Sequence, residues 1–143
     1  APGFTLMNTG NADMTVTGGT VKCGGIKTGY ALMAAGSAAK LTVSGGDIEA
    51  IQSIGGAQVN ISGGSVYCEG TYYALYNGGG NTSISGGYFY SPTGKNIYVA
   101  SGTVKTTGGY FSDKSAPLES GYKFQDISVT ENGNQYNYQV VSE

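Results

Sequence analysis

A tripeptide Ser/Thr-Gly-Gly occurs five times in this chain, and it restricts the possible folds more than any other feature. The first glycines of the doublets are Gly18, Gly45, Gly63, Gly86 and Gly108, spaced 18 to 27 residues apart. Apolar residues keep fixed distances from them. Four positions before the glycine stand Met14, Leu41, Val59, Thr82 and Val104; two before it stand Val16, Val43, Ile61, Ile84 and Thr106. Three positions after it stand Val21, Ile48, Val66, Phe89 and Phe111. The period of two on either side of the doublet is that of strands, and the doublet marks a bend between them. A third apolar segment precedes each repeat, as in Tyr30-Ala31-Leu32, Tyr73-Ala74-Leu75 and Ile97-Tyr98-Val99. Three short strands and three corners per repeat cannot bury their inward side chains alone. Stacked at about 4.8 Å, each strand gains a partner above and below. The expected fold is all-β: a right-handed, single-stranded parallel β-helix of about five rungs over residues 1–113.

The repeat stops near Lys114. Alternating segments around Asn132-Gly133 predict a β-hairpin. The last rung of a solenoid exposes apolar side chains and unpaired strand edges, so residues 114–143 are expected to cap it, with Phe111, Leu118, Tyr122 and Phe124 closing the end. No comparable segment precedes Phe4, so the N-terminal end is expected to continue into further domains of a longer chain.

Composition narrows the partners. Charged residues are 11% of the chain and the net charge is −2, against roughly 25% charged residues in ordinary soluble domains. Such a surface does not attract nucleic acid. Seven lysines are present but no arginine and no histidine. No apolar run is long enough to insert into a membrane as a helix. Neither a metal site nor a cofactor is expected.

Cys23 and Cys68 lie five positions after the first glycine in the first and third repeats, with Ala50 at the same place between them. Two layers separate their strands by about 9.6 Å, whereas a disulfide needs Cα atoms closer than about 7 Å. Both are therefore expected to be buried thiols with no bridge between them.

The segments Leu41-Thr42-Val43-Ser44-Gly45-Gly46, Val59-Asn60-Ile61-Ser62-Gly63-Gly64 and Ser83-Ile84-Ser85-Gly86-Gly87-Tyr88-Phe89 resemble repeats in large surface proteins of Gram-positive gut bacteria. Those repeats are similar to the pectate-lyase-like β-helix superfamily. The run from Gly108 to Tyr122 resembles the segment that ends such arrays. The resemblance implies a module of an extracellular, surface-attached or secreted bacterial protein. It implies little about activity, because this architecture serves lyases, hydrolases and adhesins alike.

Catalysis on this scaffold uses a basic residue or paired carboxylates. Only Asp47 and Glu49 fall at neighbouring outward positions, roughly 7 Å apart along a strand, a separation open to a glycosidase pair. Lys22 holds the position of Glu49 one layer earlier, so a charge pair on a wet face accounts for the trio without catalysis. The chain is expected not to be an enzyme.

Tyrosine is the stronger signal, with twelve in the chain. Tyr88 and Tyr110 share one outward position in successive layers, and Tyr67 and Tyr90 share another. These four are expected to form one aromatic patch, with Tyr98 on the neighbouring face. Exposed tyrosines offer a ring face and a hydroxyl to a glycan or a host surface protein. Stacked ladders that merely stabilise a sheet, at about 0.2–1 kcal/mol per pair, are the alternative. A second outward ladder, Thr15, Thr42, Asn60, Ser83 and Lys105, resembles a flat ice-binding face, but Asn60, Ser83 and Lys105 break its threonine grid, and ordinary solvated strand positions are the expected reading. The expected function is adhesion or ligand binding through the tyrosines, against a passive spacer in a surface stalk.

Overall fold

A computed structural model describes residues 6–23, 30–69, 73–92 and 94–143. They form a parallel β-solenoid of about four turns, with no helix. Three columns of strands run up it. The first column holds β1 (Leu6–Asn8), β4 (Leu32–Ala35), β7 (Ile51–Ile54) and the leading halves of β10 (Leu75–Ile84) and β12 (Ile97–Thr106). The second holds β2 (Asp13–Val16), β5 (Lys40–Val43), β8 (Gln58–Ile61) and the trailing halves of β10 and β12. The third holds β3 (Thr20–Val21), β6 (Asp47–Glu49), β9 (Ser65–Tyr67), β11 (Tyr88–Tyr90) and β13 (Tyr110–Phe111). Five strands in a column enclose four returns of the chain, which is why the turn count is one below the rung count expected.

The register follows the glycine doublets. Val16, Val43, Ile61, Ile84 and Thr106 pair in series, as do Val21, Ile48, Val66, Phe89 and Phe111. Their side chains fill the interior: Leu41, Val43, Ile48, Ile61, Val66, Ile84, Phe89 and Phe111 are all at most 1% exposed. Thr82 and Thr106 interrupt the apolar columns. Thr82 is accommodated because its Oγ1 donates to Asn77 Oδ1 at 2.7 Å. Asn77 Nδ2 in turn donates to the carbonyls of Gly80 and Ser101, tying one corner to the next layer. Asn8 does the same in the first layer, donating to the carbonyls of Ala12 and Lys40. A buried amide thus replaces hydration at corners where strand pairing lapses.

In the first column, among the described residues, the last layer has no strand above it, and side chains replace the missing partners. Ile97 N–H donates to Ser115 Oγ and Asn96 N–H to Asp113 Oδ2. Ser115 is itself held by Asp113 Oδ1. Leu118, Tyr122 and Phe124 pack on the core, with Phe124 edge-on to Phe111 at 6.2 Å. Cys68 is buried, and neither cysteine forms a disulfide. Cys23 departs from expectation in being half-buried. It lies in the first layer, which among the described residues has a neighbour on one side only.

Candidate functional site

β14 (Tyr122–Glu131) and β15 (Asn134–Ser142) form the hairpin, turning at Asn132 and Gly133 with φ of 51° and 78°. Two consecutive positive φ values are what a tight Asn-Gly hairpin turn requires. β15 pairs antiparallel with β13, Phe111 opposite Tyr138. From there the hairpin does more than cover the end. It runs back along the outside of the third column. Tyr136, 1% exposed, lies edge-on to Tyr88 at 5.1 Å and to Tyr90 at 6.2 Å. At the tip, Asn132 Nδ2 donates to Asp47 Oδ1 at 3.3 Å and to Ser65 Oγ at 3.4 Å. The strap therefore reaches from the fifth layer to the second.

This changes the environment of the expected tyrosine patch. Tyr88 and Tyr110 do stack, with centroids 4.7 Å apart and planes 11° apart. However, they are half-buried, and Tyr136 packs on Tyr88. Their ring faces are turned to one another, which withdraws one face of each from a ligand. Burial, then Glu131 and Tyr110, raises the Tyr88 phenol above its ordinary pKa. Tyr98 belongs to a separate cluster on the first column. It stacks on Tyr73 at 4.5 Å and approaches Tyr76 at 5.6 Å, while Tyr30 meets Tyr76 at 5.9 Å.

Tyr67 and Tyr90 come together in a groove of about 630 Å³ between the hairpin tip and the third column. Lys22, Asp47 and Glu69 line it from the solenoid, and Asn132 and Asn134 from the hairpin. Among the described residues, no other ring stacks on Tyr67. Burial, and then Glu49, Glu69 and Asp47, push its phenol up to about 12. Burial also pushes Tyr136 up to about 12, against a hydrogen bond with Asn134 that pulls it down.

These shifts set an alkaline limit. In the unfolded chain both phenols ionise near 10. Between there and about 12 the folded state holds protons that the unfolded state has lost, so stability falls as pH rises through this window. Below it both states are protonated and neither tyrosine contributes a slope. The melting temperature should drop from about pH 9 to about pH 11.5, and drop less in the Tyr67→Phe/Tyr136→Phe variant.

Glu49 keeps its place in the ladder, in register with Tyr67, but departs from expectation in being buried. It is 4% exposed, and its Oε1 accepts the Cys23 N–H at 2.9 Å. Asp47 and Glu49 therefore do not stand as a pair on one wet face. Lys22 Nζ lies 3.9 Å from Glu69 Oε1. Among the described residues, no three His, Cys, Asp or Glu side chains gather to hold a metal ion.

The second polar ladder is aligned, Thr15, Thr42, Asn60, Ser83 and Lys105 pairing in series. Ser83 and Lys105 of this ladder border a depression on the second column together with Gln58, Asn81, Thr82 and Thr103. Sequence reasoning missed Tyr136, Asn132 and Asn134 in the hairpin, which no repeat relates to the third column. It also missed Tyr73 as a partner of Tyr98, though Tyr30-Ala31-Leu32 and Tyr73-Ala74-Leu75 share a pattern that marks both tyrosines. No protein-family model matches the chain, and neither a curated protein nor a solved structure matches it.

Proposed function

We propose that this chain is a non-catalytic glycan-binding module that takes a sugar chain into the groove between the hairpin tip and the third column. The observation that carries the reading is Tyr67, a ring with no stacked neighbour among the described residues, in a groove that also holds carboxylates and amides. A sugar ring has a C–H face that packs on an aromatic ring and hydroxyls that both donate and accept. Asp47 and Glu69 accept; Asn132 and Asn134 do both. The volume is within the range of about 300–1,000 Å³ typical of ligand sites. A non-catalytic role is supported by the position of Glu49, whose carboxylate is engaged with backbone in the wall. The resemblance of the repeats to those of Gram-positive gut bacteria supports a place on a cell surface or a secreted protein.

A glycan array followed by titration of the best ligand tests this. Tyr67→Ala is expected to weaken binding by about tenfold or more, the loss of one well-placed aromatic contact. Tyr90→Ala should act in the same direction. Binding indifferent to both substitutions would remove the groove from consideration. The spacer reading draws support from the Tyr88–Tyr110 and Tyr73–Tyr98 stacks, which serve the sheet itself; an array with no ligand favours it. Polysaccharide cleavage lost on substituting Asp47 would instead indicate an enzyme.

A further inference from the structure

We infer that the groove selects glycans by charge, preferring sugars that carry free amino groups over neutral ones and excluding uronic acids. The inference rests on the glycan reading above and adds a ligand class to it.

Asp47 and Glu69 line the groove, and Glu49 lies in the wall behind Tyr67. Lys22 is the one cation among the lining residues, and its ammonium is 3.9 Å from Glu69. The whole chain has no arginine or histidine that could supply another fixed positive donor. A carboxylate-bearing sugar entering here would lose hydration beside like charges and find no guanidinium fork to receive it. A protonated amine meets the opposite situation. Asp47 Oδ1 accepts from Asn132, and among the described residues nothing donates to Oδ2. That oxygen, the Glu69 carboxylate and the Tyr67 hydroxyl are acceptors, matching a group with three N–H donors and no lone pair.

Three hexasaccharides separate the outcomes: glucosamine, N-acetylglucosamine and galacturonic acid, which are cationic, neutral and anionic. At about pH 5.5 the sugar amines are protonated. In about 20 mM salt, calorimetry should rank the cationic hexamer about tenfold tighter than the neutral one, with the anionic one undetected. Raising salt to about 0.5 M should compress the ratio toward one. The Asp47→Asn/Glu69→Gln variant should compress it at low salt as well; the salt series on the unmodified chain stands if that variant does not fold. Galacturonate binding as tightly as the neutral hexamer, or a preference for amine that salt leaves intact, overturns the charge inference while leaving a glycan site. If no hexamer binds, both the inference and the glycan reading fail.

Discussion

Gly63→Ala should destabilise the solenoid by about 2–4 kcal/mol, whereas Gly18→Ala should stay within about 0.5 kcal/mol of the unmodified chain. The two glycines hold the same place in their repeats, so propensity and unfolded-state entropy affect both alike. They differ in what lies beneath. A Cβ on Gly63 would overlap the carbonyl oxygen of Ser44 in the layer below and come within 3.1 Å of its carbon. That oxygen is backbone and cannot rotate away. The layers would have to separate at this corner, weakening pairing such as Ser62 N–H to Val43 O, 2.8 Å. Gly18 lies in the first layer, and a Cβ there meets nothing within 4 Å. Urea denaturation reads the difference, with a lower midpoint and an unchanged slope for Gly63→Ala. Equal effects at the two sites would mean that the doublets are needed for the bend alone, not for close stacking.

Tyr136→Ala should be the most damaging change in the hairpin. It deletes a ring that is 1% exposed and packed edge-on against Tyr88 and Tyr90. Removing an aromatic side chain of this burial costs about 3–5 kcal/mol. Beyond its pairing with β13, the strap has few other anchors over the third column: Asn132 at the tip, and the Gln139 Nε2 to Tyr110 hydroxyl bond of 3.4 Å. The cost should therefore appear as local detachment. Amide exchange should accelerate at residues 129–136, while the interior around Leu41, Ile61 and Phe89 keeps its protection. Ligand binding should fall with it, since Asn132 and Asn134 form one wall of the groove. Tyr136→Phe keeps the ring and should retain most of both properties. Uniform loss of protection across the solenoid would contradict the strap.

The columns were legible because the glycine doublets phase the chain: once Gly18, Gly45, Gly63, Gly86 and Gly108 are superposed, inward and outward positions follow from a period of two. The pairing of Tyr88 with Tyr110 and of Tyr67 with Tyr90 follows from the same alignment. Burial of Glu49 was missed because the offsets do not show that its carboxylate is covered and accepts the Cys23 N–H. Burial of Cys23 was overestimated because offsets say nothing of how many layers cover a position. The hairpin itself was readable from Asn132-Gly133. Its path was not, because that path depends on Asn132 meeting Asp47 and Ser65, and Tyr136 meeting Tyr88, across separations no local pattern encodes. The groove, which exists only because of that path, was invisible for the same reason.

The central claim is that ligand enters between the hairpin tip and the third column. Chemical-shift mapping of isotope-labelled protein titrated with the glucosamine hexamer tests it most directly. The account predicts shifts concentrated at Tyr67, Tyr90, Asn132 and Asn134. Shifts centred instead on Tyr73, Tyr76 and Tyr98, or no shifts at saturating sugar, would contradict it.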